Sequence, residues 1–239
     1  MFTAEYGGLF DVMLPSLADW RLPLPLGGSS NHFRASVLRD VGAWDPYNVT
    51  EDADLGMRLA RFGYRTAVIA STTYEEAPVK VGQWLKQRTR WFKGWMQTWL
   101  VHMRAPLRLL RELGPMNFIV FQLLVGGTVL AALLHVPALG KLTFEYCAGH
   151  YGGGIAMNFY LAILAAGYLV SAALGILGLK QRKMLGSAWV LLLVPIYWIF
   201  LSVAAWRALI QLVRDPYRWE KTEHGLARSS RRAPQAIQK

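Results

Sequence analysis

Between residues 116 and 213 the chain is almost uncharged, and three runs within that stretch are long and apolar enough to cross a bilayer. A spanning helix needs about 20 mostly apolar residues. Phe118 to Leu139, Ile155 to Leu179 and Ala188 to Val213 each supply them. Gln122 and His135 in the first run and Pro195 in the third are its mild interruptions, which a helix among neighbours tolerates in lipid. A soluble reading fails on supply: 239 residues hold too little polar sequence to coat three such helices.

Charge follows the same division. Only 17% of residues are charged, against about 25% in an average soluble protein. Residues 1–115 carry most of the acids, and the stretch from Arg214 onward is basic. The net charge of +11 suits an inner-membrane protein, whose cytoplasmic loops collect Lys and Arg. A nucleic-acid module would spread its cations over a soluble surface. Here they crowd beside the apolar runs, so no nucleic-acid partner is expected. Lys80 to Arg111 holds eight cations and no acid, and Lys180-Gln181-Arg182-Lys183 is a short basic loop. Both are assigned to the cytoplasm, and the near-neutral loop from Gly140 to Gly154 to the outside. Three full crossings would then put the tail opposite the globular part, while its charge assigns it to the same side. Cys147 is the only cysteine, so no disulfide framework and no cysteine-based zinc site is expected. Met1 to Tyr6 has neither the basic start nor the apolar core of a cleavable signal.

Val81 to Leu110 has a different character. Trp84, Trp91, Trp95 and Trp99 recur at helical spacing, interleaved with cations. Aromatic bodies and basic heads on one helix suit a membrane interface, lying flat. Pro106 is expected to break it.

Residues 1–79 read as mixed α and β. Glu5 to Leu17 is predicted helical and limited by Pro15. Leu22 to Leu26 is predicted as an edge strand, because its prolines cannot donate to a ladder. Gly27-Gly28-Ser29-Ser30-Asn31 forms a turn or a place where backbone meets a ligand closely. Ser36 to Val41 is a short helix. Asn48 and Glu51 fit a capping box for a helix that buries Leu55, Leu59 and Phe62 and stops at Gly63. Tyr64 to Ala70 is predicted as a strand.

Two groups of residues could carry chemistry. Asp52 lies in a helix first turn, where the helix dipole favours its ionised form and neighbouring Glu51 opposes it. On the residues alone, acids there are more often helix stabilisers than bases. Gln87 and Arg90 are three apart and share a helix face. A planar guanidinium suits a diphosphate, and the adjoining Trp91 offers a flat surface to a sugar. The same residues would also serve an interfacial helix meeting lipid headgroups.

Together, Thr50-Glu51-Asp52 and, some 35 residues on, Gln87-Arg88-Thr89-Arg90-Trp91 resemble the TED and QxxRW motifs of membrane-integrated family 2 glycosyltransferases, the cellulose and hyaluronan synthases among them. Trp219-Glu220-Lys221-Thr222-Glu223-His224-Gly225 is similar to the ending of bacterial members, so the resemblance runs from about Thr3 to Gly225. It implies an inverting transfer from a nucleotide-sugar donor to a growing polysaccharide or glycan acceptor. Asp52 would be the general base, Gln87 and Arg90 would hold the diphosphate, and Trp91, with Glu51, Gly28, Ser29 and Asn31, would face the acceptor.

The implied architecture is a partial α/β domain of GT-A type (1–79), interfacial amphipathic helices (80–115), a transmembrane region (116–213) and a basic tail (214–239). The implied location is a bacterial inner membrane, multi-pass, with the catalytic part cytoplasmic. The family's nucleotide-binding half, with its DxD motif and divalent metal (Mg or Mn), would precede Met1. Asp52-Ala53-Asp54 has DxD form but falls inside the TED-like helix, so no metal ligand is assigned in this chain. The chain is therefore expected to be a C-terminal portion, inactive alone, whose partners include the bilayer and either the missing half or other synthase subunits. The competing reading is a non-enzymatic channel or transporter subunit. Such proteins place ionisable groups within their spans, and these spans carry little beyond His135 and Gln122.

Overall fold

The computed structural model describes residues 1–149 and 154–220 and is helical throughout, with no strand among the described residues. Part of the Gly140–Gly154 loop, and the tail motif from Lys221 onward, lie outside the described residues.

The first helical rod joins α1 (Phe2–Tyr6), a π-helical stretch (Gly7–Met13) and α2 (Leu14–Asp19) without a break in backbone conformation. Pro15 does not end it. Proline cannot donate to the carbonyl four residues back, and the rod widens to π register just before it, the usual way a helix absorbs such a defect. The rod packs on the second apolar helix through glycines. A Cβ on Gly178 would lie 2.2 Å from the backbone of Gly7, so a side chain there would push the rods apart. Asp11 pairs with Arg182 at the end of that contact.

The α/β expectation is overturned at both proposed strands. Leu22–Leu26 is extended but unladdered. Its side chains instead fill two clusters: Leu24, 2% exposed, packs with Leu14 and Leu17, and Leu26 also reaches Val41, Leu55 and Leu59. Pro23 and Pro25 remove two of its five backbone donors. The second segment, 64–70, is also irregular and mostly exposed. A strand's backbone groups need a neighbouring strand, and no described segment pairs with either one.

The helix after the Asn48 turn is α4 (Glu51–Arg61), which follows the short α3 (Ala35–Asp40). Its cap differs from the expected box. Thr50 is the N-cap residue, and Asn48 acts one turn earlier, its Oδ1 accepting from the Thr50 N–H at 3.0 Å. Gly63 closes the helix with φ +79°, while the N–H of Tyr64 bonds back to Leu59. Phe62, expected in the buried stripe, is 58% exposed.

The tryptophan-rich segment forms α5 (Val81–His102), and a new helix, α6 (Pro106–Phe121), begins at Pro106. Gly114, at φ 76°, and Pro115 kink α6. A π-helical stretch (Gln122–Gly127) then leads into α7 (Thr128–Cys147). Next come α8 (Ile155–Gln181), a 3-10 stretch (Leu185–Leu193) and α9 (Val194–Arg214). Three rods are long and apolar enough to cross a membrane: Pro106–Cys147, Met157–Gln181 and Leu185–Arg214. Interruptions in these rods are repaired by neighbours. Pro137 leaves the Leu133 carbonyl without its usual partner, and the Trp206 indole N–H of α9 donates to it at 3.0 Å.

The pattern on α5 predicts a helix lying flat on a membrane. In the structure it runs beside α9 in the same direction. Trp84 lies against Tyr197 and Phe200, and Phe92 and Met96 cluster with Ala204, Ala205 and Ala208. The small α9 residues let the two helices approach closely. At the far end, the Lys93 ammonium donates to the Arg218 carbonyl at 2.6 Å, and the Gln97 side-chain N–H donates to the Pro216 carbonyl at 3.1 Å. The start of the basic tail therefore packs back against α5.

Candidate functional site

Arg90, Gly94, Gln97 and Thr98 are spaced by four, seven and eight residues along α5, so they line one face of it. The turn before α4 is fastened to that face. Asn48 Nδ2 donates to Thr98 Oγ1 at 2.8 Å, and the Val49 N–H donates to Gln97 Oε1 at 3.1 Å. Thr50 lies flat on Gly94, where a Cβ would come within 2.1 Å of Thr50 Oγ1. This anchoring carries the first turn of α4, with Glu51 and Asp52, to Arg90. Gly94→Ala is expected to force α4 away from α5 and destabilise the protein by about 1–3 kcal/mol, measured as a lowered unfolding midpoint in detergent.

The charges of the site act on one another. Burial raises the Asp52 carboxyl above its ordinary value, and Glu51 raises it further; the Ala53 N–H, bonded to Asp52 Oδ1 at 2.8 Å, and the Arg90 guanidinium oppose the rise. Burial likewise lowers the Arg90 pKa, against the pull of Glu51 and Asp52. Asp52 and Arg90 thus share one electrostatic neighbourhood, half-buried and partly desolvated. Tyr6 belongs to it as well. Its hydroxyl is pushed well above the ordinary tyrosine range, chiefly by burial, and its ring lies 6.3 Å from that of Trp91.

The other expected residues divide. Gly28 sits over Asp52, and a Cβ there would lie 3.1 Å from Oδ2. Ser29 and Asn31 are exposed and hold the loop's shape instead: Ser29 donates to Glu75, Asn31 donates to the Gly27 carbonyl, and Ser30 meets Thr73 at 2.6 Å. Gln87 is 8% exposed, and its amide oxygen has no partner among the described residues. The Arg90 Nε is also buried and unpaired. Buried polar atoms are rarely left so; Arg88 Nε and Thr89 Oγ1 on the same helix share that state.

Trp91 has one neighbour that motif reading did not weigh. The Arg88 guanidinium lies 4.6 Å from the centre of the Trp91 ring. Arg88 is itself held by both oxygens of Glu5, and Tyr197 donates to Glu5 at 2.6 Å. Glu5 and Tyr197 carry no local sequence signal. Trp219 did, through the tail motif: its ring lies 4.6 Å from the Arg90 guanidinium.

A metal does not fit the residues described. Of the Asp52-Ala53-Asp54 pair, Asp54 is taken up by Arg58 at 2.7 Å and His102 at 3.0 Å. No cluster of three His, Cys, Asp or Glu side chains capable of holding an ion occurs among the described residues. No step below passes through a metal.

Two known proteins match parts of the chain. Over 76 residues the chain is 32% identical to the Bacillus subtilis protein named "Probable glycosyltransferase YdaM", covering 31% of this chain and 18% of that protein. Over 115 residues it is 27% identical to the Synechocystis "Beta-monoglucosyldiacylglycerol synthase", covering 46% of this chain and 24% of that one. The chain thus spans under a quarter of the length of these two relatives. No solved structure matches it. Residues 12–213, which hold α4, α5 and all three apolar rods, match the profile of glycosyl transferase family group 2, and the chain belongs to that family.

Proposed function

We propose that this chain supplies the acceptor-side residues of an inverting sugar transfer at the cytoplasmic face of a bacterial inner membrane. The donor is a nucleotide sugar and the acceptor is a hydroxyl of a growing glycan. The observation that carries the proposal is the anchoring of the α4 start on α5 at Gly94 and Gln97, which brings Asp52 within electrostatic reach of Arg90. The reaction is a single displacement. The acceptor oxygen forms a bond to the anomeric carbon and gives its proton to Asp52. The bond from that carbon to the diphosphate breaks, and its electron pair leaves with the diphosphate.

Each residue answers one demand of that step. A raised carboxyl is a better proton acceptor than an ordinary one, since catalytic efficiency improves as the pKa nears working pH. A partly desolvated guanidinium stabilises charge on the leaving diphosphate more strongly than a hydrated one. Gln87, three residues earlier, adds an amide to the same face. Trp91, steadied by Arg88 and Tyr6, offers an apolar platform to the acceptor ring. A glycan on a lipid anchor offers the same hydroxyl, and one relative's name refers to a diacylglycerol lipid.

The test is Arg90→Lys in membranes carrying the complete gene product, supplied in turn with labelled UDP-glucose, UDP-N-acetylglucosamine and GDP-mannose. Lysine keeps the charge and loses the planar fork. Transfer from the sugar that is used is expected to fall by about 10²–10³-fold. Near-normal transfer by the variant would remove Arg90 from the diphosphate.

A further inference from the structure

A groove of about 590 Å³, not lined by Asp52, lies along the outer face of α9. Its inner part is apolar, lined by Val136 of α7 and by Val203, Trp206 and Ile210 of α9. Its other end is lined by Arg207, Arg214, Asp215 and Arg218. Val203, Trp206, Ile210 and Arg214 are all exposed. This is an amphipathic trough on a rod apolar enough to cross a membrane.

The charges at the polar end do not cancel. Glu220 accepts from both Arg207 nitrogens at 2.6 Å, so that acid is matched. Asp215 also lines this end, so Arg207, Arg214 and Arg218 stand there against two carboxylates, those of Asp215 and Glu220. Arg218 approaches the already paired Glu220 only at 3.8 Å, and Arg214 forms no ion pair among the described residues. Arg214 and Arg218, both exposed, thus leave a net positive charge at this end of the trough. Trp206, next to Arg207 and one turn from Ile210, is exposed on the trough, and Tyr217, also exposed, follows beyond Arg214. Tryptophan and tyrosine at the end of an apolar helix mark headgroup depth.

The dimensions agree with that placement. Val203 to Arg214 spans about 16 Å at the helical rise. Half of a bilayer's hydrocarbon core is about 15 Å. The trough thus has the length of one leaflet, apolar toward the mid-plane and cationic at the headgroup. Its polar end lies on the globular, cation-rich side, where the inner leaflet carries anionic lipid.

We infer that the α7–α9 trough holds one anionic phospholipid of the cytoplasmic leaflet, its acyl chain along Val203, Trp206 and Ile210 and its phosphate at Arg214 and Arg218. The inference is independent of the transfer reaction. A second copy of this chain would have to bring its own acids to the same arginines, and a soluble anion would have no use for the apolar floor.

The chain is purified in detergent and titrated with phosphatidylglycerol or phosphatidylcholine, and retained lipid is counted by native mass spectrometry. Each arginine near the headgroup is worth about fivefold in affinity, so phosphatidylglycerol should be preferred by about 25-fold. Arg214→Gln with Arg218→Gln should abolish the preference and leave weak binding of both lipids. Val203→Trp, which fills the trough, should remove both. All three substituted residues are exposed, and an unchanged far-UV circular dichroism melt confirms that each variant folds. Equal retention of the two lipids by the unaltered chain, or an undiminished preference in the double variant, would overturn the inference. So would complete displacement of phosphatidylglycerol by inorganic phosphate, or by formation of a dimer.

Discussion

Asp52→Asn should reduce sugar transfer by about 10²–10⁴-fold, the usual worth of a general base, while leaving the protein as stable as before or more so. The second half of this expectation separates a working group from a supporting one. Burial holds the Asp52 carboxyl above its ordinary value of 3.8. The folded chain therefore binds that proton more tightly than the unfolded chain does. Whatever stability this favours is present at acid pH and lost as pH rises through the interval above 3.8. At neutral pH the ionised carboxylate is a cost, and the amide removes it. Thermal unfolding at neutral pH should show the Asn variant equal to or above the parent, and the two should converge on acidification. In the parent, transfer should fall on acidification with a midpoint above that of an ordinary aspartate. A variant that kept full transfer would leave Asp52 without the role proposed for it.

Asp54→Ala should do the opposite, lowering stability by about 3–5 kcal/mol, as expected when one member of a buried ion pair is removed. Asp54 and His102 are each 2% exposed. Arg61 NH1 lies 2.9 Å from His102 Nδ1 and can only donate, so Nδ1 accepts and Nε2 carries the proton, which it gives to Asp54 Oδ1 at 3.0 Å. Arg58 Nε donates to the other oxygen at 2.7 Å. Burial works to raise the Asp54 carboxyl, but His102 and Arg58 outweigh it and hold the carboxyl below its ordinary value. The sign is therefore reversed from Asp52. Stability from this group is present above 3.8 and lost as pH falls through the lowered value. Denaturant unfolding across acid pH should show a decline in the parent that is missing from the already weakened Ala variant. Two carboxyls two residues apart are thus shifted in opposite directions, Asp52 upward by burial and Asp54 downward by His102 and Arg58.

That contrast could not be read from the string Thr50-Glu51-Asp52-Ala53-Asp54. His102 lies 48 residues beyond Asp54, and nothing in its surroundings signals the bond. The helices were legible because their causes are local: tryptophans at helical spacing over α5, a glycine stop after α4, proline at the first turn of α6. The strands were misread because a strand's cause is not local. Leu22–Leu26 has the composition of an edge strand, but its leucines are absorbed by α2 and α4 and no described segment offers it a ladder. Pro15 reads as a stop because proline's defect is local, while its repair, a π-helical stretch backed by the glycine contact with α8, depends on packing. Within the site, the face formed by Arg90, Gly94, Gln97 and Thr98 was present in the spacing, but what it would hold was not. Ser29 and Asn31 lie in the expected loop, and their bonds to Glu75 and the Gly27 carbonyl had no signal in the sequence.

The account rests on α4 delivering residue 52 to residue 90 of α5, and cysteine cross-linking in membranes measures that directly. With Cys147 replaced by serine, Asp52→Cys and Arg90→Cys are introduced together, and a protease site is placed in the exposed 66–80 segment between them. The control pairs Asp52→Cys with Leu100→Cys, whose exposed side chain lies ten residues, about 15 Å, farther along α5. The shortest bifunctional methanethiosulfonate should join 52 to 90, so that the two fragments migrate as one after cleavage, and should leave the control pair separate. Fragments that part in the 52–90 pair, although both cysteines react with a single-headed reagent, would contradict the account.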